Sequence, residues 1–140
     1  MPTDFYQQLD HTGDCGIEVF ARDQETLFAN AARAFSDLLI GLEYIKRQLV
    51  RNFEVSGDDQ ESLLVNWLDE LLFAFETEGE VYCDYVVESL SSTRISAAAY
   101  GEPYRPEHHS YKVAIKAVTF HQLTIAPTDE GWMARIIFDL

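Results

Sequence analysis

The sequence predicts an α+β fold: a mainly antiparallel β-sheet with two amphipathic helices packed on one face, in a single domain spanning residues 1–140. Three observations predict it. Two stretches repeat apolar residues at three- and four-residue spacing, the period of a helix with one buried face. From Val81 onward, apolar and polar residues alternate and the pattern breaks at turn sequences, which reads as two consecutive hairpins. Strand stretches also outnumber helical ones, and sequential hairpins favour antiparallel pairing.

Each element follows in order. Phe5 to Leu9 reads as a strand edge leading into a turn at His11-Thr12-Gly13-Asp14-Cys15-Gly16. Ile17, Val19 and Ala21 then alternate with Glu18 and Phe20 as a half-buried strand. Asp23 fits a helix N-cap, with Glu25 in the first turn where negative charge is favoured. Leu27, Phe28, Ala31, Ala34, Phe35, Leu38 and Leu39 supply the first helical stripe, stopped near Gly41. Leu49, Phe53 and Val55 alternate with Arg51 and Glu54 as a strand with one wet face, broken by Gly57-Asp58-Asp59. Leu63, Leu64, Trp67, Leu68, Leu71, Leu72 and Phe75 give the most regular stripe, a core helix closed by Gly79. Val81 to Leu90 and Arg94 to Tyr100 flank Ser91-Ser92-Thr93 as the first hairpin. Gly101 to Ser110, with Pro103, Pro106, His108 and His109, reads as an exposed loop. Val113 to Ile125 and Trp132 to Phe138 form the second hairpin around Pro127-Thr128-Asp129-Glu130-Gly131.

Composition narrows the function classes. Apolar residues make up 47% of the 140, which excludes a disordered chain. Ten Lys and Arg stand against 24 Asp and Glu, a net charge of −14. Nucleic-acid affinity rests on basic side chains that neutralise phosphates, so direct binding of RNA or DNA is not expected. A basic partner protein suits this surface, since long-range attraction speeds encounter. No apolar run approaches the roughly 20 residues of a membrane span, and no secretory signal is visible at Met1-Pro2-Thr3-Asp4. With only two cysteines, Cys15 and Cys83, a reduced, cytoplasmic protein is expected.

Chemistry points to carboxylates. Asp14 sits between two glycines, in a turn that presents its side chain. A plain turn residue is the bland reading, because Asp and Gly dominate turns for local reasons. The sequence closes with Phe138-Asp139-Leu140, so the main-chain carboxylate of Leu140 is an anion one residue from Asp139. If the ends meet, three carboxylates converge, an oxygen-only set that suits a hard divalent cation such as calcium, magnesium or manganese. Zinc prefers nitrogen and sulfur donors. Among other candidates, His108 and His109 read as solvated loop histidines, His121 as a core histidine in a strand, and Lys116 as a solvated lysine that could meet an anion. Asp14 should raise the pKa of Cys15 and argue against a nucleophilic role. Neither a Ser-His-Asp order, nor a phosphate-cradling glycine loop, nor Cys-x-x-Cys is present, so a self-sufficient enzyme is not expected.

These residues resemble the archease family of small activators of the GTP-dependent RNA ligase RtcB. The resemblance rests on His11-Thr12-Gly13-Asp14-Cys15-Gly16, Trp67-Leu68-Asp69-Glu70-Leu71-Leu72, Tyr100-Gly101-Glu102, His109, Lys116-Ala117-Val118-Thr119-Phe120-His121 and the terminal Asp139-Leu140, spread over nearly the whole chain. Gly13 replaces the family's usual Ala, and Cys15 its usual apolar residue. The resemblance implies that Asp14, Asp139 and Leu140 bind a divalent ion of calcium type. It implies an RtcB-type RNA ligase as partner, whose guanylylation and turnover the protein promotes in tRNA splicing or RNA repair. Two other classes stand beside it: a chaperone-like interaction module without metal chemistry, and a metal-dependent hydrolase, which would need a general base and phosphate-binding basic residues near Asp14.

Overall fold

In the computed structural model, residues 5–9, 14–110 and 112–140 are described. The elements run β1 (Tyr6–Leu9), β2 (Asp14–Ala21), α1 (Gln24–Leu39), β3 (Leu49–Ser56), α2 (Gln60–Phe73), β4 (Glu80–Leu90), β5 (Arg94–Pro103), β6 (Ala117–Thr128) and β7 (Gly131–Asp139). The expected α+β class and antiparallel pairing hold. The strands divide into two sheets, ordered β1-β2-β7-β6 and β3-β5-β4. Both helices touch both sheets: α1 packs on β4 as well as β2 and β7, and α2 on β6 as well as β3 and β5.

Composition explains why the helices can be covered twice. Along α1 the alanines 29, 31, 32 and 34 are buried together with Leu27, Phe28, Phe35 and Leu38, so a small-residue surface lets strands approach beside the bulky one. Trp67 of α2 ties the layers together. Its indole N–H donates to the Phe28 carbonyl at 3.0 Å, and its ring meets Phe53 and Tyr85 edge-on at centroid distances of 5.9 and 6.0 Å. Toward the other sheet, Phe35 packs on Phe138 at 6.1 Å.

Local signals set the helix ends. The carboxylate of Asp23 accepts from the Thr26 amide at 2.7 Å, and that of Asp59 from the Ser62 amide at 2.7 Å. Each satisfies one of the orphan donors of a first turn. Beyond Phe73 the second helix widens into a π-helical turn, Ala74–Glu78, and ends at the left-handed Gly79.

Four boundaries and environments differ from the sequence expectation. His11, Thr12 and Gly13 of the expected turn lie outside the described residues, while Asp14, Cys15 and Gly16 are already strand. They pair with Asp139, Phe138 and Ile137, and a Cβ on Gly16 would stand 2.9 Å from the Ile137 Cδ1. β5 runs on through Gly101 to Pro103, because the β4 backbone presses against it where a bulge separates Tyr82 from Asp84. β6 begins at Ala117, not Val113: its partner β7 stops at Asp139, opposite Ala117, so earlier residues have no strand to pair with. His121, expected in the core, is exposed, since residues 120–123 leave the β6–β7 register as a bulge. Among the described residues no helix is long and apolar enough to cross a membrane.

The Gly101 contact gives a stability prediction. A Cβ at this position would lie 1.9 Å from the Val81 carbonyl oxygen and 2.6 Å from the Tyr82 Cα, both backbone atoms that cannot swing away. Gly101→Ala should therefore destabilise the fold by at least about 2 kcal/mol, read as a lower urea midpoint at unchanged m-value.

Candidate functional site

The pairing of β2 with β7 builds the site. In β2 the side chains of Cys15, Ile17 and Val19 enter the core, and in β7 those of Phe138, Ile136 and Ala134 do the same. Strand alternation then sends Asp14 and Asp139 to the opposite face. The register places them directly across from one another. Directly opposed residues of an antiparallel pair have Cβ atoms about 5 Å apart, and like charges there are destabilising. Two residues further along each strand, Gly16 faces Ile137; at the next such step Glu18 faces Arg135 and their side chains pair at 2.6 Å. That guanidinium, helped by Gln7, holds the Glu18 carboxyl below its usual range. The ladder thus pairs one carboxylate with an arginine and places another across from a second carboxylate.

Asp139 is exposed and Asp14 half-buried. Leu140 follows Asp139 at the surface, 38% exposed. The Lys116 amide donates to the Asp139 carbonyl at 2.8 Å, which holds the last residues of β7 in place. The Lys116 side chain is exposed. Thus the structure brings together Asp14 and Asp139, with Leu140 adjoining. Among the described residues, no three His, Cys, Asp or Glu side chains form a metal-holding group. The carboxylate oxygens of Asp14 and Asp139 are hard donors of the kind that calcium or magnesium takes.

Cys15, next to Asp14, points the other way and is 3% exposed. Its thiol pKa is raised as expected, but the cause is burial rather than the neighbouring carboxylate. Asp69 on α2, part of a segment that carries the family resemblance, was not among the expected site residues. Its side chain is exposed at the α2–β6 contact, where it faces the Val118 backbone one residue beyond the Asp139 partner Ala117, and desolvation by the groups around it pushes its pKa up. A helical stripe shows Asp69 only as a polar position off the core face.

A further correction concerns His109. It is fully buried, not solvated, and it stacks on Tyr104 at 5.7 Å. Its Nδ1 accepts the Arg105 amide at 2.9 Å, which leaves Nε2 to carry the proton and donate to Glu102 at 3.0 Å. Glu102 is itself buried and also accepts the Lys46 amide at 2.7 Å. This histidine supports a loop; exposed His108 beside it does not share the arrangement.

The fold and the opposed carboxylates define a class: a small α+β protein that carries an acidic, oxygen-rich sheet end. The archease protein family model matches residues 6–140. The protein archease of Methanosarcina mazei is 37% identical, covering 96% of this chain and 95% of that one. The protein archease of Pyrococcus abyssi is 35% identical, covering 96% and 98%. The solution structure of Methanobacterium thermoautotrophicum protein 1598 superposes with a TM-score of 0.81 at 31% identity, over 99% of this chain and 100% of that one. The chain belongs to the archease family.

Glu102 supplies a pH prediction. Desolvation raises its pKa, but the Lys46 amide, His109 and Arg105 together outweigh it and hold the carboxyl below its usual range. A carboxylate held low in the folded state contributes stability above its unfolded value near ~4.3, lost as pH falls through the folded value. Glu102→Gln should therefore be less stable than the parent near neutral pH. The gap should narrow in denaturation curves taken from about pH 6 down to about pH 3.

Proposed function

We propose that this protein is a non-catalytic, divalent-cation-binding activator of a GTP-dependent RNA ligase of the RtcB type, acting in the cytoplasm on ligase guanylylation and turnover during tRNA splicing or RNA repair. The observation that carries the reading is the register of β2 against β7, which opposes Asp14 to Asp139 beside Leu140. Membership of the archease family supports an accessory role with a protein partner. The residues that would hold the ion are Asp14, Asp139 and the main-chain carboxylate of Leu140, with calcium as the first choice and magnesium or manganese as alternatives. When bound, the ion supplies positive charge where phosphates must be neutralised.

The protein's own part is geometric. Core packing on one face of β2 and β7 fixes the carboxylates on the other, so the donor set is preformed. An ion placed there lowers the like-charge repulsion and stays accessible, because Asp139 and Leu140 are exposed. The net charge of −14 favours a basic protein partner over direct contact with RNA.

Asp14→Asn keeps the side-chain shape and removes one negative charge. It should weaken calcium binding at least tenfold in titration calorimetry and lower ligase–GMP formation, while the protein stays folded in chelator. Full activation by this variant would return Asp14 to the role of a structural residue.

A Gly-Gly extension after Leu140 tests the third donor. It replaces the adjoining carboxylate by a neutral amide and should weaken calcium binding without changing the melt in chelator. Equal binding by the native and extended chains would remove Leu140 from the site.

A further inference from the structure

The free edge of β3 faces a groove that the opposed carboxylates do not use. β3 lies at the margin of its sheet and pairs only with β5 among the described residues. α2 runs beside it, and the space between them opens into adjoining depressions of about 530 and 390 Å³ that share Ser56 and Asn66. An exposed phenyl ring stands at each end. Phe73, 56% exposed, lines the depression toward the end of α2, and Phe120, 60% exposed, lines the one toward its start. Phe120 is carried outward by the β6 bulge, in which Gln122 takes a left-handed φ of 53°. Lone surface aromatics are ordinary; two that flank one groove along a free strand edge form a surface built for a ligand.

Backbone polarity tells which edge groups are free. The Gly57 amide donates inward to the Thr93 carbonyl, whereas the Ser56 carbonyl points outward and accepts from the Asn66 side chain at 3.0 Å. Antiparallel pairing alternates these directions, so Glu54 and Asn52 offer their amides and carbonyls on the same outer side. Because Asn66 already occupies the Ser56 carbonyl, the open edge runs from exposed Val50 to Glu54, about 13 Å, enough for a strand of about five residues. Carboxylates line both walls; Glu54 on the strand is paired with Arg94 at 2.8 Å, so Asp69 and Glu70 on the helix set the charge of whatever lies there.

We propose that this groove docks an extended, lysine- or arginine-rich segment of the partner protein, which adds a strand beside β3 and seats apolar side chains against Phe73 and Phe120. Main-chain pairing supplies affinity, and the rings and carboxylates supply selectivity. The inference rests on the activator reading and gives it a docking surface. Through α2, which packs on β6, the groove adjoins the strand that pairs with Asp139, so docking would bring the partner toward the carboxylate end.

The test measures affinity of the full-length protein for its full-length RtcB-type ligase, with calcium binding and thermal melting in parallel. Phe73→Ser and Glu70→Lys alter exposed side chains, and Asn52→Pro removes an outward amide without breaking a bond to β5. Each should weaken ligase binding at least tenfold while calcium affinity stays as in the parent; Asp14→Asn should show the converse. Should Asn52→Pro fail to fold, the Phe73→Ser and Glu70→Lys results decide. Parent-like ligase binding by the groove variants would overturn the docking proposal and leave the activator reading standing. A parent that neither binds nor activates the ligase would overturn both. Self-association abolished by Asn52→Pro, with ligase affinity unchanged, would assign the edge to a second copy of the chain and overturn the proposal as well.

Discussion

The pairing of β2 with β7 is the constraint on which the rest depends. Ile17 faces Ile136, Val19 faces Ala134 and Cys15 faces Phe138, all buried against the helices. A slip of one residue would turn this whole set outward and bring Glu18 or Arg135 into the core. Burial of each large apolar side chain is worth roughly 1.5–3 kcal/mol, while opposed carboxylates at the end of a ladder cost less than about 1 kcal/mol. Packing therefore decides the register, and Asp14 meets Asp139 as its consequence. The carboxylate pair is held by residues that never touch it.

The same logic extends through the helical layer. α1 is narrow enough, through its alanines, to be covered by β4 on one side and by β2 and β7 on the other. Phe138 reaches α1 through Phe35, and Trp67 reaches it through the Phe28 carbonyl. The strand that ends in Asp139 is thereby anchored to the centre of the molecule up to the residue before the site. Only Asp139 and Leu140 emerge from that packing, which fits a site that must be rigid at its root and open at its tip.

What was legible in the sequence was local. Asp23 and Asp59 cap their helices because a cap involves residues three apart. The β4–β5 hairpin follows from its own alternation and short turn. The misplacements all arise from partners distant in sequence or from a register that changes. His109 looks solvated beside two prolines, yet Glu102 and Tyr104 enclose it. His121 follows an alternating pattern, yet the bulge turns it out. Nothing local says that β7 stops opposite Ala117 and so sets the start of β6. Asp14 and Asp139 were each visible as chemistry, and the family resemblance joined them; periodicity alone cannot bring together residues at opposite ends of a chain. Asp69 was assigned no role because a polar position on a helix looks the same whether or not another strand packs beside it.

The charge distribution closes the physical picture. Of the basic residues, Arg33 and Arg47 pair with Asp84, Arg51 with Glu80, Arg94 with Glu54, Arg105 with Glu102 and Arg135 with Glu18. Exposed ion pairs of this kind contribute roughly 0–1 kcal/mol each, so they do little for the fold as a whole. Their larger effect is to use up local positive charge on particular carboxylates, most of it away from the end of the sheet. The surplus of −14 then acts as a field that every approaching cation or basic segment meets. Such a field opposes the compact state weakly and is screened within about 8 Å at physiological salt, so its reach is short. Under the proposed reading, so short-ranged a field would act only on a cation or a basic segment already close to the carboxylates it meets.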